Sequence, residues 1–273
     1  MDSVEASQAF LGDAAKHFVC LSYDVSLWAS KDAKRNFASC FIVKIEGHWL
    51  LITAGHVING IRDAIAQGAI FSNFNLHDRL AGNNYPFSVP IPFHVDDWVV
   101  VEGGQTDADY AASLMSPLIA QNLHAGGVRP IEEGLWGTAP FEQYPHWILI
   151  GSRGESYEII ASRPTLKLTL ISLAPALPPE SIISPSSANK IFAQIQTHPE
   201  FDSVYVTDVR GMSGGPIFGL RECNGVMKYW IIGIQSSWYK DSRTVWFCAI
   251  QPFFSAIKKT IILQRADESI SND

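Results

Sequence analysis

The chain has 273 residues, of which 17% are charged, and a formal net charge of −7 at pH 7. An acidic chain without a basic stripe is a poor candidate for binding nucleic acid, and no run of about twenty apolar residues exists to cross a bilayer. We therefore expect neither a nucleic-acid nor a membrane partner. The length is enough to bury a sizeable core, and an all-β chain of this size can form one fold with two lobes.

The N-terminal segment, residues 1–17, is predicted to form a short amphipathic helix outside the first lobe. Apolar residues recur there at helical spacing: Ala6, Phe10, Ala14 and Phe18. Acidic residues, among them Asp2, Glu5 and Asp13, stand where a secretory signal would be basic and then apolar. We therefore expect an intracellular, cytoplasmic protein.

Residues 18–135 are predicted to form a first β-barrel. Short apolar runs bounded by turn residues are typical of barrels and sandwiches, and they occur at residues 18–21, 40–43, 48–52, 87–89 and 98–101. The third run continues into Thr53-Ala54-Gly55-His56, which presents a histidine just past the end of a strand. Isoleucines and alanines at helical spacing then predict a helix from Ile58 to Gln67.

Residues 136–265 are predicted to form a second β-barrel with a C-terminal helix, after a turn-rich linker at residues 126–145. Candidate strands are residues 156–161, 165–173, 203–207, 215–218, 229–235 and 245–250. Four prolines exclude a central strand at residues 175–187 and predict a surface loop. After Pro252 the pattern becomes helical, and residues 266–273 are predicted to be a disordered tail.

The four cysteines indicate buried, reduced thiols. Cys20, Cys40, Cys223 and Cys248 lie in or beside apolar runs without a C-x-x-C pair, although Cys223 and Cys248 could meet on neighbouring strands. No histidine lies at ligand spacing from them, so we expect no metal site and no cofactor.

Gly211-Met212-Ser213-Gly214-Gly215-Pro216 is the most informative segment, because it places a serine on a glycine-rich turn. A serine hydroxyl attacks a carbonyl at neutral pH only when a base takes its proton, and histidine titrates in the right range. Ser213 is therefore the candidate nucleophile and His56 the candidate base.

These two segments resemble the T-A-x-H and G-x-S-G-G-P signatures of the trypsin-like serine peptidases of the chymotrypsin fold (PA clan), in their stand-alone bacterial form. The resemblance extends from about residue 37 to about residue 259. It implies an all-β fold of two six-stranded antiparallel β-barrels, in which the histidine and an aspartate come from the first barrel and the serine from the second.

The resemblance also requires a carboxylate that orients the histidine. Asp109 is the best match, because it begins an Asp-apolar-Ala strand, and Asp107 is a rival on the same side of an extended chain. Asp96 and Asp97 precede an apolar run and are interpreted as capping the edge of a strand.

By the same resemblance, the backbone N–H groups of Gly211 and Ser213 would form an oxyanion hole. Digestive relatives carry an aspartate before the serine, and it pairs with a new N-terminal ammonium after zymogen cleavage. Met212 stands at that place and cannot form an ion pair, so we expect no such switch. Activity would be constitutive, or controlled by a partner or by loop ordering.

The substrate pocket implied by the resemblance includes Thr207, Ser236, Trp238 and Thr244. These residues predict a shallow, uncharged pocket, unless a loop shift brings the Asp208 carboxylate into it. The edge of the strand at residues 235–238 would pair with the substrate backbone.

The sequence thus predicts a serine endopeptidase with a Ser-His-Asp triad, an acyl-enzyme intermediate and a protein or peptide substrate. Such an enzyme would need narrow specificity or a regulatory protein partner to spare its host. A catalytically silent peptide-binding module of the same fold is the alternative. An esterase is a third possibility, although the nucleophile elbow of an α/β sheet is missing.

Overall fold

The computed structural model describes residues 10, 12–27, 33–78, 88–103, 107–160, 163–179, 190–196 and 208–271. Its strands are β1 (Phe18–Leu27), β2 (Lys34–Ile45), β3 (His48–Thr53), β4 (Ala69–His77), β5 (Ser88–Pro90), β6 (Trp98–Gly103), β7 (Ala108–Leu114), β8 (His146–Ile160), β9 (Arg163–Pro175), β10 (Lys190–Ile195), β11 (Pro216–Cys223), β12 (Val226–Tyr239) and β13 (Thr244–Ala249). The helices are α1 (Gly55–Ala66), α2 (Pro117–Ala125) and α3 (Gln251–Ser271), with short 3₁₀ turns at Ala15–His17, Val95–Asp97, Glu133–Leu135 and Phe141–Gln143.

The strands form two antiparallel sheets, one in each lobe. The first sheet has seven strands in the order β5-β4-β1-β2-β3-β7-β6, and the second closes into a six-stranded barrel in the order β10-β13-β12-β11-β8-β9. Pairing of β9 with β10 closes the second sheet. The all-β, two-lobed fold of the chymotrypsin type is therefore confirmed. The predicted six-stranded first barrel is wrong in two respects: the first sheet has a seventh strand, the three-residue β5, and among the described residues its edge strands β5 and β6 do not pair to close it.

Strand β1 is apolar on both faces because both faces are covered. Val19 and Leu21 pack in the core of the first lobe, whereas Phe18 and Cys20 pack in a cluster shared by both lobes. Side chains alternate across a strand, so a continuous apolar run is the expected sequence of a doubly buried strand. The shared cluster fixes the two lobes against each other.

The helices differ from the sequence predictions at their ends. Helix α1 begins at Gly55, before the predicted Ile58, so His56 lies in its first turn. Helix α3 continues to Ser271, so it includes residues 266–271, for which the sequence predicted a disordered tail. Residues 10 and 12–14 are helical, while most of the predicted N-terminal helix lies outside the described residues.

In the second lobe, the predicted strand at residues 165–173 belongs to the longer β9, and the predicted strand at residues 156–161 belongs to β8 as far as Ile160, where the described segment ends. The predicted strand at residues 203–207 lies outside the described residues. All four cysteines are free. Within the described part of the chain, every helix is too short or too polar to pass through a lipid bilayer.

Candidate active site

His56 and Asp109 are placed side by side by neighbouring elements and are joined by two hydrogen bonds. Strand β3 ends at Thr53 and runs directly into α1, which places His56 beside β7, where Asp109 is almost fully buried. The His56 backbone N–H donates to Asp109 Oδ1 over 2.8 Å, and the ring Nδ1 lies 2.7 Å from Oδ2. A carboxylate accepts, so Nδ1 carries the proton and Nε2 is left with a lone pair. Among the described residues Nε2 has no partner.

The pair shifts the pKa of both groups. Burial alone disfavours the imidazolium, but the hydrogen bond and charge of Asp109, with a contribution from Glu102, outweigh burial and raise the pKa of His56 above its ordinary value. Burial alone would raise the pKa of Asp109, but its hydrogen bonds from His56 and Ser236 and the charge of His56 hold it below its usual range. Asp109 is therefore ionised, and His56 is a stronger base than a free histidine.

Ser236 on β12 connects this pair to the second lobe. Its hydroxyl donates to Asp109 Oδ2, and its backbone carbonyl accepts a hydrogen bond from Ser213 Oγ over 3.3 Å. Ser213 and His56 line the same cavity. The structure records no hydrogen bond between the Ser213 hydroxyl and the His56 ring, although both residues are described.

The glycine-rich turn leaves backbone donors free beside Ser213. The N–H groups of Gly214 and Gly215 bond to the carbonyls of Gln235 and Met212, both over 2.9 Å or less. By contrast, no acceptor in the described residues bonds to the N–H of Gly211 or of Ser213. These two free donors are the pair that the sequence assigned to an oxyanion hole.

Gly214 is required by the packing of this turn. Its φ is +86°, and a Cβ there would overlap the Thr53 hydroxyl and the Ser39 carbonyl of the first lobe. A side chain would therefore be strained by its backbone conformation and would push the two lobes apart.

Ser39, on β2, braces the turn from the first lobe. Its buried hydroxyl donates to the Gly211 carbonyl over 2.9 Å and accepts from the Ser152 backbone N–H over 3.1 Å. The Thr53 hydroxyl donates to the Ser39 carbonyl over 2.9 Å. Ser39 is not among the site residues predicted from the sequence. The available signal was a lone serine in the apolar run that includes Cys40 and Phe41.

The rival carboxylates have other partners. Asp107 lies 3.3 Å from Lys190 Nζ, across the two lobes, and has a positive φ of 48°. Asp208 accepts from the Arg210 backbone N–H and from its Nε, over 2.8 and 2.6 Å. Of the two candidates for the triad carboxylate, Asp109 is the one in contact with His56.

The predicted pocket residues are only partly brought to the site. Thr207 lies outside the described residues. Ser236 is buried against Asp109, and Trp238, two residues further along β12, is partly buried. Thr244, the first residue of β13, is buried, and its hydroxyl donates to the Ser242 carbonyl over 3.2 Å. Met212 is fully buried and packs against Gly151.

Comparisons with known proteins found similar solved structures but no matching family. No family model and no curated protein matches the chain. Among solved structures, the protease Anisep from Arthrobacter nicotinovorans is 17% identical, covers 86% of this chain and 90% of its own, and has a TM-score of 0.44. The thermostable serine protease AL20 from an extremophilic microorganism is 15% identical, covers 91% of this chain and 99% of its own, and has a TM-score of 0.45. At this distance the roles of individual residues rest on the geometry described above.

Proposed function

We propose that this protein is a serine endopeptidase in which His56, Asp109 and Ser213 act as a catalytic triad. The observation that supports it best is the His56–Asp109 pair, held over 2.7 Å with Nε2 free, in the same cavity as Ser213. A peptide-binding surface alone has no chemical need for an ionised, buried carboxylate that raises the basicity of a histidine.

In the proposed reaction the Ser213 hydroxyl leaves the Ser236 carbonyl and turns about its Cα–Cβ bond towards His56 Nε2. Catalytic hydrogen bonds are often long or unformed before substrate binds. His56 then takes the hydroxyl proton as Oγ attacks the peptide carbonyl, and later gives that proton to the leaving amine. Water hydrolyses the resulting acyl-enzyme by the same route.

The free N–H groups of Gly211 and Ser213 would receive the oxyanion that forms during attack. Loss of one such donor costs about 3 kcal/mol in the barrier of other enzymes, so their placement matters as much as many side chains. Narrow specificity, together with a partner or loop ordering, would limit cleavage in the host.

The alternative is a catalytically silent peptide-binding module. It is favoured by one observation, that Ser213 Oγ donates to the Ser236 carbonyl rather than to His56. In such a module the β12 edge would hold a peptide by strand addition, without cutting it.

A serine-reactive fluorophosphonate separates these functions. We expect covalent labelling of Ser213 in the wild type, loss of labelling in Ser213→Ala and His56→Ala, and normal labelling in Ser237→Ala, which removes a neighbouring hydroxyl. Mass spectrometry of the labelled peptide checks the site. Absence of labelling in a folded wild-type protein would support the silent module.

An esterase would also be labelled, so substrate has to be tested separately. We expect cleavage of protein but not of simple lipid esters, and we expect Ser213→Ala to retain an uncut protein substrate during purification. Hydrolysis of lipid esters with no cut protein would contradict the endopeptidase.

A further inference from the structure

A cavity of about 410 Å³ opens beside His56 and Ser213. Its walls come from the first lobe, where aromatic and aliphatic side chains of β1, β2, β4 and α1 face one another: Tyr23, Phe37, Phe71, Val57, Ile61 and Ala64. The rings of Tyr23 and Phe71 lie 5.6 Å apart. Within the described part of the chain, the second lobe contributes Gly211 and Ser213 to the lining.

The cavity is lined by a different set of residues from the pocket that the sequence predicted. Among the described pocket residues, none of Ser236, Trp238 and Thr244 lines it. In the proposed reaction the acyl half of the substrate lies along the β12 edge. His56 must protonate the leaving amine, so the leaving half lies on the His56 side. The cavity therefore faces the residues that follow the scissile bond.

The lining predicts the chemistry of the side chain that fits. Among the described lining residues, His56 is the one that can carry a positive charge, and there is no carboxylate. The volume is in the range of small-molecule sites, which is enough for an aromatic side chain. A cation would find no carboxylate among the described lining residues to offset its partial loss of hydration.

We propose that this cavity is the main specificity pocket, and that it selects substrates with a large apolar or aromatic side chain at the first or second residue after the scissile bond. This inference rests on the proposed function, and it adds the substrate class and the side of the bond that is recognised.

Gly60 provides a direct test. It lines the cavity from α1, and a Cβ built there meets no atom within 4 Å. Gly60→Phe would therefore fill the cavity without displacing backbone, and it replaces a poor helix former. Ala66→Phe is the matched control, because Ala66 is exposed on the same helix and does not line the cavity.

The experiment digests a peptide library and sequences the new N-termini, with fluorophosphonate labelling in parallel. For the wild type and Ala66→Phe we expect Phe, Tyr, Trp, Leu, Ile or Met to be enriched at the first or second new position. For Gly60→Phe we expect cleavage of those peptides to fall about ten- to a hundredfold, the range for loss of an apolar contact, while Ser213 is still labelled.

Failure of this inference differs from failure of the proposed function. A wild type that is labelled but shows no preference after the cut, or cuts none of the peptides with such residues, overturns the pocket assignment. So does a Gly60→Phe variant with wild-type preference. A folded wild type that is neither labelled nor able to cut overturns the proposed function, and the pocket assignment with it.

Discussion

At the scale of single residues, Asp109 and Ser39 are the side chains whose contacts are most informative. Asp109 fixes which nitrogen of His56 carries the proton, and Ser39 fixes the carbonyl that precedes Met212 in the serine turn. Neither needs to touch the substrate. Each acts through a neighbour, and each has a matched control in the same lobe.

Replacing Asp109 by Asn tests the carboxylate. An amide can donate to Nδ1, which moves the ring proton to Nε2 and leaves no acceptor for the Ser213 hydroxyl. We expect the labelling rate to fall about 10⁴-fold, the size of this effect in the serine protease that defines the triad. Asp107→Asn is the control, because Asp107 pairs with Lys190 instead. Equal effects of the two variants would contradict the assignment of Asp109.

The pH dependence follows from the raised pKa of His56. The ring must be neutral to accept a proton, so the labelling rate should rise with pH and reach half its maximum above 6.5, the ordinary value for histidine. Removing the Asp109 charge should lower the pKa of His56, which NMR of the ring can follow. A half-maximal rate at or below 6.5 would argue against the described pair.

Replacing Ser39 by Ala removes both of its hydrogen bonds. The Ser152 N–H is left without its partner, at a cost of about 1–3 kcal/mol in stability. The Gly211 carbonyl is released, which misplaces an oxyanion donor, and labelling should slow by about ten- to a hundredfold. Ser22→Ala is the control. Ser22 is also buried in the first lobe, but its hydroxyl lies 2.7 Å from His77, so this change should lower stability and spare labelling.

At the scale of elements, α3 closes the fold by packing two rings between the lobes. The Phe253 ring stacks on Tyr110 with centroids 4.6 Å apart, and Phe254 lies 5.0 Å from Trp136. Tyr110 follows Asp109 on β7. The helix therefore supports the strand that carries the carboxylate, although it contributes no residue to the candidate site.

Truncating the Phe254 side chain should lower the stability of the fold, because this side chain is fully buried. We expect Phe254→Ala to lower the free energy of unfolding by about 3–5 kcal/mol, measured by urea denaturation. Leu263→Ala, on the same helix but 54% exposed, should change it by less than about 0.5 kcal/mol. Similar losses in both variants would mean that α3 is not docked as described.

At the scale of the whole molecule, the two lobes form one unit through a shared apolar cluster and through contacts at the serine turn. Phe18 and Phe41 of the first lobe pack with Phe218 of the second. Met212, which precedes Ser213, is buried in the core of the second lobe. Apolar packing of Met212 therefore adds to the hydrogen bonds that hold the turn.

An N-terminal extension tests this ordering. We expect a chain with an uncleavable N-terminal tag to be labelled at the wild-type rate, because no ammonium group is needed to order the turn. The control is the same tag removed by a site-specific protease. Labelling that begins only after removal would show that N-terminal cutting controls the site.

Much of the fold and of the candidate site could be predicted from the sequence, because local sequence motifs indicate them. The strand end at His56 and the glycine turn at Ser213 are local motifs. The choice between Asp109 and Asp107 is not local, because it depends on a backbone turn at Asp107 and on its distant partner Lys190. The role of Ser39 likewise depends on carbonyl and N–H groups of the other lobe.

The cavity beside His56 could not be read from the sequence for a similar reason. Its walls come from four separate segments, and each aromatic residue alone is an ordinary core candidate. Only the folded chain brings residues of α1, β1, β2 and β4 around one hollow.

Ser236 gives the molecule a mechanical property. Its hydroxyl donates to Asp109, and its backbone carbonyl accepts from the Ser213 hydroxyl. A tilt of β12 would therefore change both the proton affinity of the His56–Asp109 pair and the direction of the Ser213 hydroxyl. A peptide bound along β12 would change both at once, so peptide binding and the reactivity of Ser213 would be coupled.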